Sequence, residues 1–170
     1  MYTKCYRKRG LFKLYRIESQ FFLAVCIEEV GWGIVMEEII VVVKGILLKN
    51  NKMLIVKRSE DEVVGAGTWE TVGGKIMFGE MLEHSLQREF KEEVGIDVSP
   101  VKILYSTTFF TSPTRQIVLI AYLCESKSEE VTLSSEHSDY KWANITELKQ
   151  YLPENIIKDF EIFDVFSLLQ

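Results

Sequence analysis

The chain has 170 residues and a net charge of −5, with 47% apolar and 26% charged residues. That is enough chain for one domain with a full hydrophobic core, and too apolar a composition for a disordered protein. Its charge is uneven: Lys4, Arg7, Lys8, Arg9, Lys13 and Arg16 stand in residues 1–17 without an acid, and −5 less these six charges leaves −11 for the rest. A main body this acidic excludes a broad surface for long nucleic acid, but it can bind phosphates through a divalent cation.

Residues 1–37 read as an N-terminal extension of unassigned role, and residues 38–170 as the main domain. The basic start and "FFLAVC" have the outline of a secretion signal. The apolar run ends after seven residues at Glu28, however, and Val25 is bulkier than a cleavage site uses. No segment reaches the roughly 18 apolar residues of a membrane span. Cys5, Cys26 and Cys124 are odd in number and lack metal-type spacing, which argues for a reducing, cytoplasmic setting. "MEEIIVVV" at Met36 is an alternative start of the natural domain.

"EIIVVVKGILLKN" and "KMLIVKR" flank Asn50-Asn51 and predict a β-hairpin. A polar loop with Gly65 and Gly67 leads to a short strand near Trp69. Gly73-Gly74 then forms a tight turn, a helix runs from about Met81, and Gly95 stops it. "VKILYSTTFF" and "TRQIVLIAYLCES" predict two further strands, and Tyr140–Ala143 a short one. "NITELKQYL" has a capping-type start for a helix ended by Pro153, and "ENIIKDFEIFDVFSLL" predicts one closing amphipathic helix. Strands, helix, strands, helix is an α/β layout.

The helix after Gly79 carries Glu89, Glu92 and Glu93 beside Arg88. At ~100° per residue, Leu82, Leu86, Phe90 and Val94 form a core stripe, and Glu93 falls within its angular range. Residues three and four apart are neighbours, so the three carboxylates converge at the edge of the buried face. They repel one another unless Arg88 pairs with Glu92 and a divalent cation takes the rest. A backbone carbonyl of the glycine turn can reach the same cation. Glu80 reads equally as a helix-start carboxylate or as part of the chemistry.

This pattern resembles the Nudix box, G-x5-E-x7-R-E-U-x-E-E-x-G-U with U apolar, matched at Gly74, Glu80, Arg88, Glu89, Phe90, Glu92, Glu93, Gly95 and Ile96. Seven fixed positions at about 7% each give a chance match on the order of one in a million for a chain this long. "LIVKR", "TWETVGGK" and "LSSEHSDYKWANITEL" resemble the family's wider context, and the likeness runs from Glu38 to the end. Val72 departs from it, since members often carry proline there.

The resemblance implies an α/β/α sandwich around a mixed sheet, with the box as loop-helix-loop. It also implies Mg²⁺- or Mn²⁺-dependent hydrolysis of a nucleoside diphosphate linked to another moiety. By position, Glu89, Glu92, Glu93 and the Gly73 carbonyl would hold metal, Arg88 would orient the glutamates, and Arg58, Glu70 and Gly74 would meet substrate. An ordinary strand-end cation is the equal alternative for Arg58. Glu89 and Glu136 are the two candidates for the base. Glu136 and His137 are otherwise expected to be an exposed loop pair.

The expected partner is a small nucleotide, dNTP-like ahead of ADP-ribose, with no long nucleic acid, no membrane and a homodimer as an option. Pro113 resembles a downstream proline of ADP-ribose-type members, and "GGKI" resembles triphosphate-sanitising ones. Trp69, Phe109, Phe110 and Trp142 could stack on a base, although core positions are favoured for most of them. Two rival readings are a silent nucleotide sensor on the same fold and an RNA 5′-end pyrophosphohydrolase tethered by the basic start.

Overall fold

The computed structural model describes residues 37–170 throughout and, before them, the backbone of β1 (Thr3–Tyr6), β2 (Leu11–Ile17), β3 (Gln20–Ile27) and β4 (Gly31–Val35). These four strands form an antiparallel sheet in chain order. The side chains of the basic cluster, of Cys5 and Cys26, and Met36 as a start lie outside the described residues. The chain divides into two compact units, Met1–Ile40 with Phe109–Ile117, and Val41–Thr108 with Val118–Gln170. In the first, Glu38 donates its backbone N–H to Thr114 at 2.8 Å and pairs through its carboxylate with Arg115.

A six-stranded sheet has the order β10-β6-β5-β9-β8, built from β5 (Glu38–Lys49), β6 (Lys52–Arg58), β8 (Ser99–Ser112), β9 (Arg115–Glu125) and β10 (His137–Ala143). The short β7 (Trp69–Glu70) pairs antiparallel with β6. The β5–β6 hairpin closes where expected, because Asn50 and Asn51 both take the left-handed conformation (φ 51° and 59°) that such a turn demands.

Period-2 alternation sends Val43 and Leu47 of β5 and Leu54 and Val56 of β6 to one core. There α1 (Leu82–Val94) adds Leu86, Phe90 and Val94, the stripe expected from its sequence. Ile46, Met53 and Ile55 face the opposite core, under α2 (Ile145–Tyr151), α3 (Glu154–Ile162) and a short 3₁₀ turn, Val165–Leu169. Helices therefore cover both faces of the mixed sheet, and the fold is the expected α/β type.

Gly95 caps α1 in the left-handed conformation, and Asn144 with Glu147 completes a capping box on α2. The single closing helix is corrected: it breaks after Ile162. Asp164 turns left-handed (φ 54°), while Phe163 stacks on Tyr105 with centroids 4.7 Å apart and rings 6° from parallel. Among the described residues, no helix is long and apolar enough to cross a membrane.

Candidate active site

The glycine turn is fastened to β5. Val43 and Gly45 donate their N–H groups to Gly74 and Val72, each at 2.9 Å, and Ile76 donates to Val41 at 3.1 Å. Gly73 has φ 129°, and a Cβ there would stand 2.3 Å from the Val43 carbonyl oxygen, so only glycine fits so close to the strand. A Cβ on Gly74 would lie 2.6 Å from Glu89 Oε2, which shows how tightly that carboxylate packs against the turn. Among the described hydrogen bonds, no donor takes the Gly73 carbonyl.

Arg88 organises the box. Its Nε and Nη2 donate to the two oxygens of Glu80 at 2.8 and 3.0 Å, a bidentate pair. Nη1 donates to Glu89 at 2.8 Å and to Glu92 at 3.0 Å, and Nη2 also reaches the Lys75 carbonyl at 3.2 Å. The Arg88–Glu92 pair is the one its spacing predicts. Glu80 is drawn into this network rather than serving only the helix end: bonds from Arg88 and the Met77 N–H hold its carboxyl down at about 2. The same acids raise Arg88 above its ordinary value, Glu80 first.

Glu93 lies apart. It is 7% exposed, on the core side of α1 as the helical angle predicts, and accepts the Gly73 N–H at 3.1 Å. Burial pushes its carboxyl up to about 7, against the charge of Lys44 and the Gly73 bond. Glu92 by contrast has a side chain 58% exposed. The three box glutamates are thus divided between Arg88 and Gly73, and among the described residues no three acidic, histidine or cysteine side chains gather on one point.

The donor chemistry fits a hard divalent cation. It is all oxygen, it includes a buried carboxyl with one N–H partner, and it has the Gly73 carbonyl open beside it. Gathering the three carboxylates requires Arg88 to share Glu89 and Glu92 with the ion.

A second network stands behind the turn. Glu70 accepts Lys44 Nζ on Oε2 at 2.6 Å and Arg58 Nη1 on Oε1 at 2.8 Å. Burial works to raise the Glu70 carboxyl, but the charge of Lys44 and the bonds from Lys44 and Arg58 overcome it and hold it well below the usual carboxylate range. Arg58 also donates from Nη2 to Glu62 at 2.8 Å and from Nε to the Val64 carbonyl at 2.9 Å.

Sequence reasoning missed Lys44 and Glu62. Lys44 had a visible signal, a lone cation inside the apolar run "IIVVVKGILL", which needs an acid nearby. Glu62 had none beyond its place in an acidic loop.

The expectation for His137 is corrected: it is buried at the start of β10, opposite Arg58. A register shift between His137 and Asp139 breaks the alternation that would have marked it. Glu136 is exposed, as expected, in the turn before β10. Its loop is tied to the site, since Ser134 N–H donates to the Glu93 carbonyl at 2.9 Å and Ser59 N–H to the Glu136 carbonyl at 2.8 Å. Trp69 and Trp142 pack against the two cores, while Phe109 and Phe110 are exposed in the other unit. Pro113 sits in the β8–β9 turn.

Comparison with known proteins gives the same picture. The chain is 31% identical over 108 residues to the nucleoside triphosphatase NudI of Escherichia fergusonii, covering 58% of this chain and 77% of that one. The NudI of Klebsiella pneumoniae is 30% identical with the same coverage. The crystal structure of the MutT protein from Methanosarcina mazei Go1 superposes with a TM-score of 0.70 at 28% identity, covering 77% of this chain and 96% of the other. The family model for the NUDIX domain matches residues 39–164. With its box arranged around Arg88 and Gly73, the chain belongs to the Nudix family and is a nucleotide pyrophosphohydrolase.

Proposed function

We propose that this enzyme hydrolyses the diphosphate linkage of a small nucleotide, a deoxynucleoside triphosphate first and ADP-ribose second, with Mg²⁺ or Mn²⁺. The domain responsible is residues 38–170, in a cytoplasmic protein. The observation that carries the reading is the complete acidic set around Arg88 and the Gly73 turn, together with likeness to proteins named nucleoside triphosphatases. Glu89, Glu92, Glu93 and the Gly73 carbonyl would hold the ion. When bound, it neutralises phosphate oxygens and lowers the pKa of a water.

The chain's own residues do the rest. Arg88 keeps Glu89 and Glu92 oriented. Glu89 or Glu136 takes the proton from the attacking water. Arg58, held at the end of β6 by Glu70 and Glu62, turns to a substrate phosphate, and Gly74 leaves room beside Glu89. From a triphosphate, pyrophosphate or orthophosphate leaves, and which one fixes the bond cut; from ADP-ribose, the two halves leave as phosphomonoesters.

A panel of nucleotides at fixed Mg²⁺, with product identification, tests this. Turnover of a deoxynucleoside triphosphate ahead of ADP-ribose is expected. No turnover of any nucleotide, with tight binding of one, would make the protein a sensor and reject the reading. Activity on RNA ends that disappears when residues 1–35 are removed would favour the RNA-directed alternative.

A further inference from the structure

His137 has no side-chain exposure, and neither Nδ1 nor Nε2 makes a hydrogen bond. Buried polar groups are seldom left so, because desolvation without a partner is costly. Its Nε2 faces Glu70 Oε1 at 3.8 Å, too far for a hydrogen bond. That oxygen is the one that accepts Arg58 Nη1 at 2.8 Å, while Oε2 is taken by Lys44. His137 and Arg58 are also opposite each other in the β10–β6 pairing. Two donors therefore stand in line for one carboxylate oxygen, one engaged and one waiting.

We propose that His137 is a positioning residue for substrate capture, a reserve donor that closes onto Glu70 Oε1 when Arg58 turns from Glu70 to a substrate phosphate. The inference rests on the reading of Arg58 given above. In the free protein Arg58 spends Nε, Nη1 and Nη2 on Val64, Glu70 and Glu62. Glu62 is the more exposed of its two acids, so water can take over there. Glu70 is more deeply buried, and losing Arg58 would leave Oε1 without a donor. His137 has to approach by roughly 1 Å to reach hydrogen-bond distance. The neutral tautomer with its proton on Nε2 suffices, and no change of charge is involved.

The test compares His137→Leu, His137→Gln, Arg58→Ala and the His137→Leu/Arg58→Ala double variant in the full chain. Affinity for a non-hydrolysable deoxynucleoside triphosphate analogue with Mg²⁺ is measured by calorimetry, and stability of the free protein by urea unfolding. His137→Leu is expected to weaken the analogue by about ten-fold and raise KM with little change in kcat. Its urea midpoint should stay level or rise, because the free protein loses no bond.

His137→Gln keeps an N–H and is expected within about three-fold of the parent. With Arg58→Ala already present, His137→Leu should add nothing, because Glu70 no longer has to be released. Normal binding by His137→Leu, a parallel loss of stability and affinity, no rescue by His137→Gln, or full additivity with Arg58→Ala would each overturn the inference. An Arg58→Ala variant that binds as the parent does would overturn the Arg58 reading as well. A silent His137→Leu beside a damaging Arg58→Ala overturns this inference alone.

Discussion

Arg88 and Arg58 both spend all three guanidinium nitrogens on protein acceptors, but the acceptors come from different places. Those of Arg88 lie within one stretch of chain, the loop at Lys75 and Glu80 and the helix that carries Glu89 and Glu92. Those of Arg58 come from a loop at Glu62 and Val64 and from the separate strand at Glu70, and Glu70 is itself shared with Lys44 of β5. Helix geometry alone sets the bonds to Glu89 and Glu92, while those to Glu80 and the Lys75 carbonyl need only the loop just before the helix. A network assembled from several elements exists only once the sheet has paired, and its members have other donors within reach. The first suits a scaffold for an ion, and the second suits an arm that must let go.

The largest effect expected concerns neither arginine but the carboxyl that lies between their networks. Glu93→Gln should lower kcat by on the order of 10³-fold while the fold survives, measured as steady-state turnover with urea unfolding alongside. Equal losses of activity and stability would make the box glutamates structural. Next, Arg88→Ala should lower kcat by about 10²-fold and cost about 2 kcal/mol in urea unfolding, because it strands Glu89 beside the turn. Arg88→Lys should recover only part, since an ammonium cannot span both oxygens of Glu80.

The third effect is a pH dependence. Glu93 has a folded value of about 7 against an ordinary 4.5. The folded state therefore binds the proton more tightly than the unfolded one. The stability this gives is complete below pH 4.5 and is lost as pH rises from there through 7. In EDTA the parent should lose roughly 2–3 kcal/mol across that interval, and Glu93→Gln should not. A flat parent profile would contradict the burial argument.

The smallest effect expected is that of Glu62→Gln. It loosens one arm of Arg58 at a partly exposed pair, so stability should change by less than about 1 kcal/mol. KM should fall by about two-fold, because Arg58 turns to phosphate more readily.

The same contrast sets what could be read from the sequence. Leu86, Phe90, Glu93 and Val94 share a face because 3.6 residues make a turn, and that was legible. So were the Asn50-Asn51 hairpin and the Asn144 capping box, whose signals span a few residues. Lys44 was not assigned, since its partners Glu70 and Thr71 lie 26 and 27 residues away. His137 was misjudged because a bulge breaks its strand pattern. The sequence predicts one unbroken closing helix because nothing near Phe163 shows that Tyr105, far back in the chain, will stack on it.

The two-faced hairpin has a practical consequence. β5 and β6 give alternate side chains to two cores, and the box helix packs in only one of them. Substitutions around Leu148, Phe160 and Leu169 fall in the core on the face away from the box helix, where Trp69 beside Glu70 is the point of contact with the site. That layer is the place to graft, thermostabilise or diversify this enzyme, with catalysis left to vary independently on the far side.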